Sequence, residues 1–151
     1  MFRVHRLGPG EIAGFRAMNE VFSEVFGEPQ NYAEKKPDDA YCEEWLANPN
    51  NVAILATADS RAIGALGGYV LPKFGQSRSE CYIYDLAVRE DARRTGVATA
   101  LIGEMRRIAR EVGAWTVYVQ ADVFEEDEPA RLLYRKLASE EIMAHHFDIE
   151  P

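Results

Sequence analysis

The spacing of apolar residues divides the chain into alternating strands and helices. The segment FRVHRL, from Phe2, alternates as a strand does, and GEIAGFRAMNEVFSEVF then repeats its apolar residues at helical spacing. The predicted helical stripe consists of Ile12, Phe15, Phe22 and Phe26, flanked by Met18 and Val25. A second helix is predicted from DDAYCEEWLAN, with Asp38 or Asp39 as its cap. Residues 27–37, between the two helices, are the longest irregular stretch, and such loops are often functional.

The middle of the chain predicts most of a sheet. Residues 51–57 and 62–71 are apolar runs separated by ADSR, a spacing that fits an antiparallel hairpin. Residues 79–88 are apolar or aromatic on both faces, which is typical of a strand covered from both sides. A helix at 97–112 then leads to another apolar strand at 115–121. The stripe of this helix consists of Leu101, Met105, Ile108 and Val112. Strand, helix and strand form a βαβ unit, so we expect its two strands to be parallel with a right-handed crossover.

The last part of the chain predicts a short helix starting near Pro129, in PARLLYRKL, and a final strand in IMAHHFDI, residues 142–149. One βαβ unit within an otherwise antiparallel set indicates a mixed sheet in an α+β fold. The chain has 151 residues, 47% of them apolar, which suits one compact domain over residues 1–151.

Composition narrows the class of partner. A net charge of -8 and a pI near 4.9 argue against nucleic acid and leave room for a cationic partner, although a charged surface that only maintains solubility explains the same charge. The chain has no apolar run long enough for a membrane span, and its N-terminus does not resemble a secretory signal, so we expect a cytoplasmic protein. Cys42 and Cys81 lack metal-site spacing and are expected to be reduced, buried and inert, with no metal bound.

The segment RRTGVA, Arg93 to Ala98, lies where the first parallel strand ends and the next helix begins. The first-turn N–H groups of a helix lack intrahelical partners and bind phosphate readily. Gly96 and Ala98 would let phosphate oxygens approach the backbone, and Arg93 or Arg94 would add positive charge. On these residues alone, a simple helix start with solvated arginines explains the segment equally well. The Gly-Lys-Ser/Thr ending of a P-loop and the G-x-G-x-x-G of a dinucleotide fold are both absent from the sequence.

The same six residues match the Q/R-x-x-G-x-G/A loop of the GNAT acetyltransferases. The chain as a whole resembles the aminoglycoside 3-N-acetyltransferases of that superfamily, through YVLPKF, RSE, YIYDLAV and ATALI, followed by YVQAD, LYRKL and HFDI. The resemblance implies a GNAT fold, with helices on both faces of the sheet and a central parallel strand pair splayed around acetyl-CoA. It implies that the pyrophosphate binds at residues 93–98 and that the pantetheine arm pairs with the backbone of residues 86–88. The residues it assigns to the coenzyme are Leu86, Ala87, Val88, Arg93, Arg94, Thr95, Gly96, Val97, Ala98 and Thr99.

Acetylation of an amine needs a neutral amine, a polarised thioester carbonyl and a proton for the departing thiolate. Asp85 interrupts the apolar strand YIYDLAV, where an unpaired carboxylate is costly. We favour a role in holding the substrate ammonium and accepting its proton over a structural hydrogen bond. Asp122, at the end of the second parallel strand, is the competing base or a second ammonium anchor, and a simple turn carboxylate explains it as well. The backbone N–H of Val88 is the candidate for polarising the carbonyl.

Tyr134 is the candidate general acid. The resemblance places it where GNAT enzymes have a tyrosine whose hydroxyl meets the coenzyme sulfur, and a phenol can donate a proton to a thiolate. Composition alone indicates only a packed aromatic on a stripe with Leu133 and Leu137.

The segment ADVFEEDEPA is strongly acidic and lies beside the expected acceptor side of the cleft. A polycation would bind such a group, although each carboxylate is also explained by helix-dipole stabilisation or solubility. Asp148 and Glu150 on the predicted final strand extend this rim, whereas His145 and His146 have no visible partner and no assigned role. The candidate acceptor-binding residues are Asp85, Asp122, Glu125, Glu126 and Asp148.

The function that we favour from the sequence is transfer of acetyl from acetyl-CoA to the 3-amino group of an aminoglycoside, an antibiotic-resistance activity. A polyamine or a protein lysine is the alternative acceptor, since an acidic cleft suits any cationic amine. A non-catalytic acyl-CoA-binding module is less favoured because Asp85 and Tyr134 are both present. The resemblance makes a homodimer plausible, and no nucleic acid or membrane partner is expected.

Overall fold

The computed structural model describes residues 1–32 and 35–151, in two compact units, Met1–Tyr118 and Val119–Pro151. The strands are β1 (Arg3–Arg6), β2 (Asn51–Ala58), β3 (Arg61–Pro72), β4 (Ser79–Val88) and β5 (Val117–Val119). The helices are α1 (Ile12–Phe26), α2 (Pro29–Tyr32), α3 (Asp39–Ala47), α4 (Val97–Glu111) and α5 (Glu128–Leu137). A single domain over residues 1–151 stays a prediction.

The sheet has the order β1-β2-β3-β4-β5, and each neighbouring pair among its first four strands is antiparallel. The β2–β3 turn consists of Asp59 and Ser60, whose φ angles of 47° and 64° are those of a type I′ hairpin. β4 and β5 form the parallel pair, and the N–H of Trp115 donates to the Ser79 carbonyl at 3.1 Å where this pairing begins. The predicted α+β class with a mixed sheet is therefore confirmed.

The strand predicted at 115–121 is shorter than expected. β5 has only three residues, and Trp115 is 54% exposed. The Arg78 guanidinium carbon lies 3.8 Å from the centre of the Trp115 ring. Sequence pattern alone does not distinguish an indole buried in the core from one that is covered by a surface cation.

One face of the sheet is covered by α1 and α3. The N-cap of α3 is Asp38, whose carboxylate accepts the Tyr41 N–H at 2.8 Å, so this predicted cap is confirmed. The predicted α1 stripe was partly wrong, because Val21 is fully buried while Phe26, the last residue of the helix, is 38% exposed. Phe26 instead stacks on Phe22, with 5.7 Å between ring centroids. The core cluster on this face consists of Leu7, Met18, Val21, Phe22, Leu46, Ala53, Leu55, Ala65 and Ala87.

The opposite face is covered by α4, whose predicted stripe is confirmed except at its end. Leu101, Met105 and Ile108 are fully buried, whereas Val112, just past the helix, is 43% exposed. The helix approaches β3 at two glycines. A Cβ added to Gly64 would lie 2.8 Å from Val97 Cγ1, and one added to Gly68 would lie 2.4 Å from the Tyr82 carbonyl oxygen and 2.9 Å from Met105 Cε.

The second unit contains α5, which begins at Glu128, next to the predicted start near Pro129, and a C-terminal segment without helix or strand. The final strand predicted at 142–149 was wrong, because residues 138–151 contain neither helix nor strand. Ile142, Met143, Phe147 and Ile149 are 76%, 76%, 78% and 89% exposed. Alternating apolar residues suit a strand, but a strand forms only where a neighbour pairs with its backbone.

The two cysteines are free and buried, as predicted, and burial raises the pKa of each thiol. Within residues 1–32 and 35–151, no helix has the length and apolar character needed to cross a membrane.

The close packing at Gly68 predicts that alanine substitutions at two glycines have different effects on the free energy of unfolding. Gly68→Ala should lower the free energy of unfolding by about 1–3 kcal/mol, because the added Cβ would meet backbone rather than a flexible side chain. Gly103→Ala is the matched control. Gly103 is exposed on α4, and a Cβ added there would meet nothing within 4 Å. Gly103→Ala should therefore raise the free energy of unfolding by about 0.5–1 kcal/mol. Urea unfolding of both variants measures the difference, and equal midpoints would contradict the close packing at Gly68.

Candidate active site

The candidate site is centred on an irregularity in β4. Asp85 pairs with Gly67 and Ile83 pairs with Gly68, so Tyr84 is an extra residue on β4 at a β-bulge. Such bulges bend a strand and re-aim its side chains, and they are frequent next to active sites. Tyr84 is 63% exposed, and a Cβ added to Gly67 would meet nothing within 4 Å. The bulge therefore places Asp85 on β4 opposite a residue that has no side chain.

The Asp85 carboxyl is half-buried among residues of the first unit. Burial raises its pKa above the usual range, a hydrogen bond with the Tyr32 hydroxyl lowers it, and the nearby charge of Glu28 raises it again. The net direction is upward, which favours acceptance of a proton. No local sequence pattern identifies Tyr32 or Glu28, and the only signal for them is the unusual length of the segment 27–37.

Aromatic rings continue from Asp85 across the sheet. Neighbouring centroids are 6.1 Å apart for Trp45 and Tyr69, 6.0 Å for Tyr69 and Tyr84, 5.7 Å for Tyr84 and Tyr82, and 4.7 Å for Tyr82 and Tyr118. Ring faces attract cations. This row therefore gives the surroundings of Asp85 the chemistry to bind a cationic molecule.

The predicted phosphate loop has an unusual backbone. Gly96, the residue before α4, has φ 88°, and Arg94 has φ 59°, a left-handed conformation that is rare for a non-glycine residue. No side chain of the described residues caps the helix, and a Cβ added to Gly96 would meet nothing within 4 Å. The start of α4 thus combines uncapped N–H groups with open space, which fits a phosphate group.

Hydrogen bonds hold this loop to the sheet. Arg89, just after β4, forms an ion pair with Glu24 and donates from Nε to the Ala62 carbonyl at 2.8 Å. Arg93 Nε donates to the Val88 carbonyl at 3.3 Å. The Thr95 hydroxyl donates to the Ala92 carbonyl at 2.6 Å, which closes the turn. The loop is therefore fixed to the end of β4 that contains Leu86, Ala87 and Val88.

The remaining predicted residues lie in the second unit. Tyr134 is on α5, where burial raises its pKa and the charge of Asp127 adds to the effect. Glu128 forms an ion pair with Arg131 at 2.5 Å, so its carboxylate has a structural role. The other predicted acidic residues of this segment, Asp122, Glu125 and Glu126, are exposed.

The C-terminal segment differs from expectation at one histidine. His146 Nε2 lies 2.9 Å from a carboxylate oxygen of Asp148, so the view that His146 has no partner was wrong. The Asp148 side chain is 99% exposed, and the residue lies in a segment with neither helix nor strand.

The side chains of the described residues include no group of three or more His, Cys, Asp or Glu that could hold a metal ion.

Comparison of solved structures identifies similar folds. An aminoglycoside acetyltransferase, HMB0005, from an uncultured soil metagenomic sample has a TM-score of 0.97 and 40% sequence identity, covering 100% of this chain and 99% of that chain. A second, meta-AAC0020, also from an uncultured soil metagenomic sample and in complex with sisomicin, has a TM-score of 0.84 and 27% identity, covering 99% of this chain and 97% of that chain.

A third structure shows the fold alone. AAC(6')-Iy, in complex with the bisubstrate analog CoA-S-monomethyl-acetylneamine, has a TM-score of 0.77 but only 19% identity, over 100% of this chain and 99% of that chain. Comparison with curated protein sequences gives no significant match.

The family assignment comes from a sequence model. Residues 15–138 match the model of the acetyltransferase (GNAT) family, which is most of the chain and includes the bulged strand, the loop before α4 and α5. The structures described above are aminoglycoside acetyltransferases and share its fold. The chain therefore belongs to the acetyltransferase (GNAT) family.

Proposed function

We propose that this acetyltransferase moves the acetyl group of acetyl-CoA to the 3-amino group of an aminoglycoside. The observation that carries the proposal is the half-buried Asp85 carboxyl at the bulge of β4, a few residues before the phosphate loop. The 40% identity with an aminoglycoside acetyltransferase over the full chain supports the acceptor class. The choice of the 3-amino group rests on the sequence motifs.

Acetyl-CoA binding is assigned to the end of β4 and the start of α4. The N–H groups at Val97, Ala98 and Thr99, at the positive end of the helix, would bind the pyrophosphate, and Arg94 would add charge. The backbone of residues 86–88 would pair with the pantetheine arm, as the resemblance implies. β5 has three residues and β4 has ten, so most of β4 has no β5 residue to pair with.

Amine activation is assigned to Asp85. Its carboxylate would hold the substrate ammonium and accept its proton, directly or through water, leaving a neutral nucleophile. The amine nitrogen then forms a bond to the acetyl carbon while the carbon–sulfur bond breaks, and the nitrogen releases its second proton to solvent to give the neutral amide. The Val88 N–H would stabilise the negative charge that develops on the carbonyl oxygen.

The departing thiolate needs a proton, and Tyr134 is assigned as its donor. Burial raises the pKa of this hydroxyl, so it stays protonated at neutral pH. Asp122 remains the competing base, and Glu125, Glu126 and Asp148 are assigned to attract the other ammonium groups of the acceptor.

A panel of acceptors tests the function directly. Thiol release from acetyl-CoA should be fast with gentamicin and slow with spermidine or a lysine peptide, since Asp85 and the exposed carboxylates suit a polycationic sugar. Mass spectrometry and NMR of the product should locate the acetyl group on the 3-amino nitrogen. Acetylation at another amine would correct the regiochemistry, and release only with spermidine or the peptide would overturn the aminoglycoside assignment.

The phosphate loop predicts a selective defect in coenzyme binding. Gly96→Val should raise the KM for acetyl-CoA strongly, because φ 88° disfavours valine and its side chain would occupy the space beside the helix N-terminus. Gly103→Val, at an exposed position of the same helix, is the control and should leave this KM near the wild-type value. Calorimetry with CoA measures binding directly. A folded Gly96→Val protein that binds CoA normally would exclude the loop as the pyrophosphate-binding site.

The two candidate bases predict different pH profiles. Asp85→Asn removes the basic oxygen while keeping the shape, so kcat should fall by about 10² to 10⁴, the usual contribution of a general base. The acidic limb of the kcat profile should flatten as well. Asp122→Asn, which removes an exposed carboxylate, is the paired variant and should retain most of the activity. The reverse pattern would assign the base to Asp122.

A further inference from the structure

The bulge in β4 puts Tyr84 and Asp85 on the same face of the sheet. Neighbouring residues of a regular strand point to opposite faces, whereas residues paired directly across two strands share a face. Asp85 pairs with Gly67, which precedes Tyr69 by two residues on β3, so these three share one face. The Tyr84 ring contacts the rings of Tyr69 and Tyr82, which lie directly opposite each other, so it is on that face as well. A ring and a carboxyl from adjacent residues therefore lie side by side.

The Tyr84 ring is both held in place and open to solvent. Its centroid lies 6.0 Å from that of Tyr69 at an interplanar angle of 87°, and 5.7 Å from that of Tyr82 at 73°. Edge-to-face contacts at these distances stabilise one orientation of a ring. Tyr84 is nevertheless 63% exposed. The ring is therefore an ordered surface that a ligand can reach.

A second exposed ring of the same unit shows what such a surface attracts in this protein. The Arg78 guanidinium carbon lies 3.8 Å from the centre of the Trp115 ring, and Lys73 Nζ lies 6.0 Å from it. The face of an aromatic ring is negative and attracts cations. Tyr84 offers a cation the same kind of surface, next to a carboxyl.

We propose that Tyr84 is a specificity-determining residue, whose ring binds a second ammonium group of the acceptor while Asp85 holds the amine that becomes acetylated. This inference rests on the proposed role of Asp85 as the base. A ring and a carboxyl from adjacent residues select two positive charges that are close together on one molecule, whereas a single lysine side chain supplies only one. Gly67 leaves the space that such a ligand needs, because a Cβ added there would meet nothing within 4 Å.

The test is Tyr84→Leu, which keeps an apolar side chain at the bulge and removes the aromatic face. The affinity for gentamicin, measured by calorimetry in the presence of CoA, should fall by about 3- to 30-fold, the range expected for a cation on a partly desolvated ring. The affinity for CoA should be unchanged, since the phosphate loop is untouched. Phe74→Leu, at a fully exposed aromatic between β3 and β4, is the matched control and should leave both affinities at the wild-type values.

Fluorinated phenylalanines in place of Tyr84 separate a cation contact from an apolar one. Fluorine makes the face of a ring less negative while the ring stays in place. Tyr84→Phe should bind gentamicin about as well as the wild type, and the affinity should then fall stepwise with one, two and three fluorine atoms. A loss of affinity in Tyr84→Leu with no change along the fluorine series would indicate an apolar contact and overturn the proposal.

The panel of acceptors separates this inference from the proposed function. If the wild type acetylates gentamicin and a folded Tyr84→Leu protein binds it normally, the role of the ring is overturned and the function stands. If the wild type acetylates only spermidine, the aminoglycoside assignment is overturned. The same variants titrated with spermidine, which also has several ammonium groups, then decide the role of the ring. Acetylation of the lysine peptide alone would overturn both.

Discussion

The candidate site depends on the bulge in β4 opposite Gly67 and Gly68. At Gly68 the Tyr82 carbonyl leaves no space for a side chain, and at Gly67 the open space lies opposite Asp85. The extra residue, Tyr84, shifts the alternation of side chains along β4. Ile83 is therefore buried on one face of the strand, and Asp85 lies on the opposite face. A regular strand of the same composition would not put a carboxylate beside Tyr32.

The loop before α4 depends on a second close approach, at Gly64, on the face of the sheet that α4 covers. Gly64 lets Val97, the first residue of α4, pack directly on β3. The start of the helix is therefore fixed to the same strands that position Asp85. Arg89 and Arg93 then connect the intervening loop back to Ala62 and Val88. A rigid helix start costs little reorganisation when it binds an anion, which is the requirement for electrostatic binding of a pyrophosphate.

The sequence predicted features that local pattern encodes. The bounds of β4, the Asp38 cap and the helix start after Gly96 each follow from a few adjacent residues. The contact of Tyr32 with Asp85 joins a short helix to a distant strand, and no local pattern encodes it. The prediction of a final strand at 142–149 failed for the same reason, a dependence on distant residues. Alternation of apolar residues indicates the two faces of a strand but does not identify the strand that would pair with it.

The electrostatics of Asp85 favour the chemistry proposed for it. Burial and Glu28 both disfavour the carboxylate, and Tyr32 alone among its described neighbours opposes them through a hydrogen bond. An arriving ammonium would first offset the cost of the buried charge by pairing with it. Transfer of the proton then replaces a desolvated ion pair with a neutral acid and a neutral amine, a change that low polarity favours. The half-buried position that makes Asp85 costly for folding is thus the property that would make it effective in the base role proposed for it.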